Sequence, residues 1–426
     1  MLTKKMKDSG IEWIGEVPED WEISTIGAHY AERTDKVSDL DYGPLSVTKS
    51  GIVPQLEIAA KSSNHDSRKL VLKDDFVINS RSDRKMSAGI SNMDGSVSVI
   101  NTVLYSNTID RNYTKYLLKN YAFSEEFYRW GTGIVDDLWS TKWLKMKKIP
   151  IPVPPIEKQK QIGEVIDNVF QNTNNIINET EQSITELKKY KLSLITEAVT
   201  QGLDSTVEMK DSGIEWIGKI PLNWNVRKIK YDFSLKGRIG WQGLTSKEYQ
   251  NKGPHLITGT DFKNGIIDWD SCVRINEERF EEAPEIHIKE NDLLITKDGT
   301  IGKVSLAINV PKKVSLNSGV LLIREKSSSS IDKKFMYYNL LSNMFWNWYN
   351  SNDQGSSTIR HLYQGQFYNY SYGRPPLNEQ KQIVQYLNAK VTAIDRIIED
   401  KTKVIEELDN YKKSLIYEYV TGKKEG

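Results

Sequence analysis

The chain has 426 residues, of which 38% are hydrophobic and 27% are charged, as in ordinary soluble globular proteins. Its 58 Lys and Arg residues nearly balance its 57 Asp and Glu residues, so the net charge of +1 neither favours nor excludes a nucleic-acid partner. The opening segment lacks the apolar core of a signal peptide, and no stretch has the roughly 18 apolar residues of a membrane span. Cys272 is the only cysteine, which excludes an intramolecular disulfide. We therefore expect a cytoplasmic protein without membrane contact.

The sequence repeats two motifs. The ten residues MKDSGIEWIG occupy positions 6–15 and again 209–218, and both copies are followed by a Pro and then a Trp. A second motif, Pro-Pro-(Ile/Leu)-x-x-Gln-Lys-Gln-Ile, begins at Pro154 and again at Pro375. Because the repeated ends are kept while the middle changes in length and sequence, the duplication indicates fixed assembly surfaces around two variable regions.

Each pair of prolines introduces a predicted long helix. Mostly apolar or small residues recur in alternating steps of four and three, from Ile162 to Leu194 and from Leu387 to Tyr419, which is a heptad pattern. Proline is tolerated in a first helical turn, and a glycine follows each pattern where a helix should stop. Each helix is expected to be roughly 65 Å long.

These two helices are predicted to pair with each other. An antiparallel pair buries both apolar stripes and brings the tail at residues 419–424 beside Met1, so the sequence is nearly cyclic and implies a pseudo-twofold axis. A rod of this kind would keep two unlike reading domains at a fixed distance. The alternative is a helical hairpin that only stabilises one domain.

The variable regions, about residues 26–153 and 229–374, mix short β-like runs with turns and aromatic helical stretches. The predicted fold class is therefore α/β (α+β): two globular α/β domains separated by two long antiparallel coiled-coil helices. The predicted segments are domain 1 at 1–153, helix 1 at 154–202, domain 2 at 203–374 and helix 2 at 375–426.

Three features together resemble the specificity subunits of type I restriction-modification systems: the DSGIEWIG-x-x-P-x-x-W opening, the run DLLITKDGTIGK at 292–303, and the PP[IL]-x-x-QKQI helix starts. The resemblance covers nearly the whole chain. It implies two target recognition domains that each read half of a bipartite, asymmetric double-stranded DNA site, and spacer helices that dock two methyltransferase (modification) subunits. It also implies S-adenosylmethionine on those subunits, and ATP and Mg²⁺ on restriction (translocase/endonuclease) subunits where such partners exist. The first half has SRSDRK at 80–85 in place of the Gly-Thr-Ile-Gly turn, so the geometry of that loop is not carried over.

Candidate DNA-binding residues lie on loops at strand ends, because Lys and Arg bind phosphates or guanine and short polar side chains reach base edges. The set consists of Lys49, Ser50, Arg81, Arg84, Lys85 and Lys142 in the first half, and Thr260, Lys297, Asp298, Gln354, Ser356 and Arg360 in the second. For each charged member the competing interpretation is a solvated surface charge. Trp13 and Trp216 are expected to pack rather than to stack on a base.

Catalytic interpretations find little support in the sequence. The five histidines show no zinc-ligand spacing, no phosphate-binding glycine loop opens a helix, and the Asn/Asp-Pro-Pro-aromatic tetrapeptide of amino-methyltransferases is absent. We therefore predict a non-catalytic subunit that binds no metal or cofactor of its own. The rival functions are a coiled-coil scaffold that binds protein partners and a stand-alone nuclease.

Overall fold

The structure, a computed structural model, describes residues 5–57, 66–134, 139–238, 244–263, 265–326, 330–352 and 360–425. The chain forms two compact units, the first from Met1–Glu181 and Thr402–Gly426 and the second from Gln182–Lys401. Each unit combines one globular part with portions of both long helices. Both globular parts mix helices and strands, which confirms the predicted α/β class with an internal repeat.

The first unit is built from short strands followed by short helices. Its strands are β1 (Met6–Asp8), β2 (Glu16–Pro18), β3 (Glu22–Thr25), β4 (Ala31–Glu32), β5 (Lys36–Val37), β6 (Leu45–Thr48), β7 (Gly51–Pro54), β8 (Arg68–Val71), β9 (Phe76–Asn79), β10 (Ala88–Ile90), β11 (Gly95–Val97), β12 (Asn101–Tyr105) and β13 (Pro150–Val153). Its short helices are α1 (Ile26–His29), α2 (Arg111–Leu117), α3 (Tyr121–Arg129) and α4 (Trp143–Met146), with a 3-10 turn at Ser82–Arg84.

The central sheet of the first unit is antiparallel, in the order β10-β9-β12-β4. Successive side chains of a strand point to opposite faces, so β9 contributes to two cores. Phe76 and Ile78 pack in the core that contains the aromatic residues of α2 and α3, whereas Val77 packs with residues of β6, β7, β8 and β11. The strand is therefore buried on both faces, and its end is held firmly where the candidate binding loop begins.

The second unit repeats this architecture. Its strands are β14 (Met209–Asp211), β15 (Lys219–Pro221), β16 (Asn225–Lys228), β17 (Phe233–Lys236), β18 (Gln250–Ile257), β19 (Phe262–Lys263), β20 (Ile266–Ile267), β21 (Val273–Arg274), β22 (Leu293–Thr296), β23 (Val304–Leu306), β24 (Val314–Leu316), β25 (Val320–Glu325) and β26 (Ser371–Arg374). Its short helices are α6 (Ile229–Asp232), α7 (Glu277–Glu281), α8 (Lys333–Leu341), α9 (Asn343–Asn352) and α10 (Gln364–Phe367), with 3-10 turns at Ser246–Glu248 and Pro284–Ile286.

The central sheet of the second unit has the matching order β23-β22-β25-β17, again antiparallel. Leu293 and Ile295 of β22 pack in the core that contains the aromatic residues of α8 and α9, and Leu294 packs in the second core. The division of one strand between two cores is thus the same in both units. The prediction of one domain type built twice is confirmed.

The two long helices run without interruption over Ile156–Gln201 (α5) and Leu377–Val420 (α11). Gly202 and Gly422 follow them with φ of 82° and 73°, the left-handed conformation that glycine adopts readily at a helix end. None of the helices in the described part of the chain combines the length and apolar character of a membrane span.

The helices are antiparallel within each unit. In the first unit Lys412 Nζ donates to Asn174 Oδ1 (3.0 Å), and in the second Lys191 Nζ lies 2.5 Å from Asp395 Oδ1. In both cases an early part of one helix lies beside a late part of the other, as the heptad patterns predicted. Apolar heptad residues of both helices are buried in the core of their unit.

A buried glutamine joins each long helix to its globular part. Gln159 Oε1 accepts a hydrogen bond from the Asp110 backbone N–H (2.8 Å), and Gln380 Oε1 accepts one from the Asp332 backbone N–H (2.7 Å). In both units the amide nitrogen donates to the carbonyl of the first of the paired prolines, at 2.8 Å. Asp110 and Asp332 in turn cap the helices α2 and α8, so the junction links the long helix to the aromatic helices.

The repeated opening motif folds identically in both units. It forms a small antiparallel pair, with Met6 opposite Pro18 in the first unit and Met209 opposite Pro221 in the second. Trp13 is buried edge-to-face against Phe123 at 5.7 Å, and Trp216 packs against the core of the second unit. Both tryptophans therefore contribute to packing, as predicted.

The end of the chain closes onto the opening motif within the first unit. Lys423 Nζ donates to the carbonyl oxygens of Ile14 (2.6 Å) and Glu16 (3.1 Å), and the Tyr417 hydroxyl also donates to Ile14 O (3.1 Å). Met1 itself lies outside the described residues, but the predicted near-cyclic closure is confirmed at this motif. In the second unit Pro221 and Trp224, which follow the repeated motif, lie near Gly202 at the end of α5.

Candidate nucleic-acid interface

In each unit, the residue that follows the central strand, β9 or β22, makes backbone hydrogen bonds to two other chain segments. Lys297 donates its backbone N–H to Gly319 O (2.8 Å) and accepts at its carbonyl from the Leu362 N–H (2.9 Å). Ser80 makes the matching bonds, to Ile100 O (3.4 Å) and from the Thr141 N–H (2.9 Å). These bonds use only backbone atoms, so the same framework is present whatever side chains it carries.

The loop that leaves the central strand is closed in the same way in both units. Asn79 N–H donates to Ser87 O (2.9 Å), and Thr296 N–H donates to Lys303 O (3.0 Å). The residue just before each acceptor has a positive φ, 65° for Met86 and 78° for Gly302. The first half thus forms a corresponding turn without the Gly-Thr-Ile-Gly sequence, although a residue with a Cβ is strained in this conformation.

Arg81 and Asp298, which follow Ser80 and Lys297, carry opposite charge in the two units. Arg81 forms an antiparallel bridge with Ser140 in the first unit. In the second unit, the side chains of Asp298 and His361 meet, with 2.6 Å between Oδ1 and Nδ1. Ser140 and His361 stand at the same distance before the paired prolines, so the two pairs of positions are equivalent.

In each unit a tyrosine on an aromatic helix hydrogen-bonds a backbone carbonyl of the interface. The Tyr128 hydroxyl donates to Asn79 O (3.1 Å), and the Tyr349 hydroxyl donates to His361 O (3.3 Å). Burial, and secondarily the Asp83 carboxylate, raises the pKa of Tyr128, so this hydroxyl stays a neutral donor under the loop. The aromatic helices therefore hold the backbone of both interfaces by hydrogen bonds.

A cavity of about 530 Å³ lies beside the first loop. Two of the predicted DNA-binding residues, Arg81 and Lys142, line it together with Ser80, Ser140 and Trp143. Lys142 occupies the N-cap position of α4, and Tyr363 occupies the N-cap position of α10 in the second unit. The structure thus brings Arg81 and Lys142 to one groove.

The other cations of the first loop form surface ion pairs. Arg84 Nε lies 3.5 Å from Asp83 Oδ2, and Lys85 Nζ lies 3.0 Å from Glu125 Oε1. All four side chains are exposed, so such pairs contribute little to stability and exchange readily for phosphate contacts. Their role in DNA binding stays a prediction.

Lys49, Ser50 and Thr260 lie in matching turns. The Ser50 N–H donates to Thr48 Oγ1 (3.1 Å), and the Thr260 N–H donates to Thr258 Oγ1 (3.4 Å). The first turn leads into Gly51, which lies against Gly89 of β10. In the second unit the turn is bound to the candidate loop directly, because Lys303 Nζ donates to Gly259 O (3.1 Å).

One further predicted residue, Arg360, lies at the start of the last segment of the second interface. Arg360 is exposed and directly precedes His361, which contacts Asp298. Gln354 and Ser356 lie outside the described residues. Sequence reasoning missed Ser140, His361, Lys303 and Tyr363; comparing the two halves at equal distance from the paired prolines would have pointed to His361 and Tyr363.

Across the described ranges, no group of three or more His, Cys, Asp or Glu side chains is arranged to hold a metal ion. What the two interfaces share is instead a surface of cations and hydrogen-bonding groups on a fixed backbone frame. Such a surface is suited to phosphates and base edges.

A family model for the type I restriction modification DNA specificity domain matches residues 18–186 and again residues 221–407. The chain belongs to this family. Both matches include the loops and junctions described above. The family assignment carries the class of function: the chain is a DNA sequence-recognition subunit of the type I restriction-modification kind. A scaffold that binds only protein partners is not favoured.

Similar proteins agree with this assignment. The chain is 24% identical over 433 residues to the MjaX specificity subunit assigned to a type I restriction enzyme of Methanocaldococcus jannaschii, covering 96% of this chain and 95% of that protein. It is 25% identical over 283 residues to the MjaVIII specificity subunit of the same organism, covering 65% of this chain and 62% of that protein.

Solved structures share the fold. A chain from a type I R-M system matches with a TM-score of 0.70 at 13% identity, covering 95% of this chain and 98% of that one. The HsdS subunit from Thermoanaerobacter tengcongensis matches with a TM-score of 0.55 at 14% identity, covering 96% of this chain and 98% of that one.

Proposed function

We propose that each unit of this chain reads one half of a split, asymmetric DNA site. One observation carries the proposal: the same backbone frame holds Arg81 and Ser140 in the first unit, and Asp298 and His361 in the second. Equal frames with unlike side chains are what two readers of different sequences need. An asymmetric site follows, because two readers with opposite charge at the same position select different bases.

In this proposal cations supply affinity and a few polar side chains supply selectivity. Phosphate contacts give binding that weakens as salt concentration rises, whereas base-edge contacts distinguish sequences. We assign these contacts to the predicted residues in the described part of the chain: Lys49, Ser50, Arg81, Arg84, Lys85, Lys142, Thr260, Lys297, Asp298 and Arg360.

We further propose that the helices dock two modification subunits, one at each unit. Each unit exposes an isoleucine on one long helix and a tyrosine on the other, at about the same level of the antiparallel pair. Ile176 and Tyr411 belong to the first unit, and Ile397 and Tyr190 to the second. Large apolar side chains exposed in this repeated way are typical of a surface used twice.

The chain itself is proposed to be non-catalytic. Its sequence has no Asn/Asp-Pro-Pro-aromatic tetrapeptide and no phosphate-binding glycine loop, which supports assigning chemistry to partners. S-adenosylmethionine then binds to the modification subunits, and ATP and Mg²⁺ bind to restriction subunits where these are present. DNA as substrate and a lone cysteine both suit the cytoplasm.

The test is a methylation map of DNA from cells that carry this chain with its modification subunits. We expect a split motif with one modified adenine on each strand. Cells without this chain serve as the control and should lack that motif. Methylation at a continuous site, or methylation that does not depend on this chain, would contradict the proposal.

A second measurement separates recognition from catalysis. The purified chain is incubated with DNA and Mg²⁺, and we expect no cleavage. A metal-dependent cut that persists after further purification would instead support a stand-alone nuclease.

A further inference from the structure

We propose that Arg81 and Asp298 set opposite hydrogen-bond polarity at one base pair of each half-site. Arg81 donates to guanine in the half read by the first unit, and Asp298 accepts from the amino group of cytosine in the half read by the second. This inference rests on the proposed function and names the bases that the two interfaces select.

The two residues occupy one position of a common frame. Each directly follows the residue that bonds the neighbouring strand and the segment before the paired prolines. Each is also partly accessible, with 34% of the Arg81 side chain and 37% of the Asp298 side chain exposed. The different side chains of Arg81 and Asp298 therefore change which base is recognised and leave the backbone hydrogen bonds of the loop unchanged.

A carboxylate is the informative member of the pair. In a DNA interface it is repelled by the phosphates, and it can only accept hydrogen bonds. The neighbouring Lys297 and Lys303 provide cations for the DNA phosphates, so Asp298 is not needed for affinity. Its contribution is selective contact with a base that presents a donor.

The donor pattern of the major groove narrows the choice to cytosine. Guanine and thymine present acceptors there, which a carboxylate disfavours. Adenine presents its amino donor beside the N7 acceptor, whose lone pair repels a carboxylate, whereas cytosine presents its amino group alone. The contact between Asp298 Oδ1 and His361 Nδ1 occupies one carboxylate oxygen and leaves Oδ2, which lies beside Gly319, to accept from a base.

Arg81 has the complementary chemistry. A guanidinium offers a planar fork of N–H donors, which matches the O6 and N7 acceptors of guanine. Asp83 contacts the guanidinium at Nε (3.4 Å), which holds the side chain in the loop. Lysine at this position would keep the charge but lose the fork.

The experiment compares methylation maps for complexes that contain the modification subunits and the full chain as wild type, Asp298→Asn or Arg81→Lys. Because asparagine pairs with adenine, we expect D298N to shift the preference from cytosine towards adenine at one position, with roughly a tenfold loss for cytosine. R81K should lower the preference for guanine roughly tenfold at one position of the other half-site.

A matched control is Glu278→Gln, which removes the same charge from an exposed side chain of α7 in the second unit and should leave both half-sites unchanged. An unchanged map for D298N, or changes from both variants in the same half-site, would overturn the inference while the split-site methylation of the wild type still supports the proposed function. A wild-type complex that methylates no split site would overturn both.

Discussion

Lys297 is the residue whose side chain can be tested with the least risk to the fold. Its backbone N–H and carbonyl make the framework bonds, so Lys297→Ala leaves both in place. We expect this substitution to lower the affinity of the assembled complex for its DNA site and to reduce the slope of log affinity against log salt by about one. Fluorescence anisotropy over a salt series measures both quantities.

Lys252→Ala is the matched control, because Lys252 is an exposed lysine of the same unit outside the framework bonds. It should leave the affinity and its salt slope unchanged. An unaltered affinity for K297A at every salt concentration, with normal assembly, would remove Lys297 from the interface.

Cys272 is predicted to be unreactive in the folded protein. Burial raises the pKa of its thiol from 9.0 to about 12, so the folded state favours the neutral form. Because the folded pKa lies above the unfolded value, deprotonation of the thiol costs more in the folded state. The contribution of Cys272 to the free energy of unfolding is therefore fully present below pH 9 and is lost as the pH rises towards 12. Since alkylation requires the thiolate, iodoacetamide at pH 8 should modify native Cys272 much more slowly than glutathione.

The same reaction in guanidinium chloride supplies the control, because unfolding exposes the thiol. Mass spectrometry should then find complete modification of the lone cysteine. Equal rates in the native and denatured protein would show that Cys272 is not protected by the second unit.

The placement of the individual candidate residues could be anticipated only in part from the sequence, for a physical reason. Arg81 and Lys142 were selected for charge and do line one groove. His361 was missed because its relevance depends on a contact with Asp298 that crosses a long stretch of sequence. Met86 shows a further limit: its positive φ is set by the hydrogen bonds around it, and a methionine gives no sign of it in the sequence.

At the scale of elements, the buried junction glutamines attach the long helices to the globular parts. Gln159→Ala leaves the Asp110 N–H without its acceptor in a part-buried junction. We expect this change to lower the free energy of unfolding by about 1–3 kcal/mol, the usual cost of a buried unsatisfied donor. Urea titration followed by circular dichroism measures the loss.

Gln161→Ala tests whether the effect belongs to the junction. Gln161 is exposed two residues further along the same helix, and the substitution is chemically the same. It should be nearly neutral, since alanine favours helix. Equal effects of Q159A and Q161A would indicate a change in helix propensity rather than a lost junction.

Long elements were predictable, and short ones only in part. The heptad patterns predicted that α5 and α11 exist, because a periodic signal sums over many turns, and the helices begin two residues after the start of each proline pair, at Ile156 and Leu377. The aromatic stretch at 116–128 was expected to be helical but forms parts of two helices. The Asn120 side chain caps the second by accepting from the Phe123 N–H, a local interaction that composition does not reveal.

At the scale of the whole molecule, the repeated exposed residues predict how many partners bind. The double variant Ile176→Ala/Tyr411→Ala removes the exposed isoleucine and tyrosine of the first unit, and Tyr190→Ala/Ile397→Ala removes those of the second. We expect each double variant to bind one modification subunit and the wild type to bind two. Native mass spectrometry of the mixed subunits gives the count.

The control for this measurement is Asn175→Ala, an exposed polar position beside Ile176. It should still bind two modification subunits. Two subunits on both double variants would show that the exposed isoleucine and tyrosine side chains are not part of the docking sites.

The duplication explains why the whole was easier to predict than its parts. The opening motif and the paired prolines are repeated almost letter for letter, and they form matching pairs and junctions in both units. The loops between them share little sequence, and only their backbone bonds show that they correspond. Equivalence of this kind is a property of hydrogen-bond geometry and is not encoded by residue identity.

The backbone frame at Ser80 and Lys297 has a consequence for evolution. Because main-chain atoms close the loop, a single codon change can replace the displayed side chain without disturbing the closure. Under the proposed function, successive changes of this kind would alter the recognised DNA site one base pair at a time while the fold stays the same.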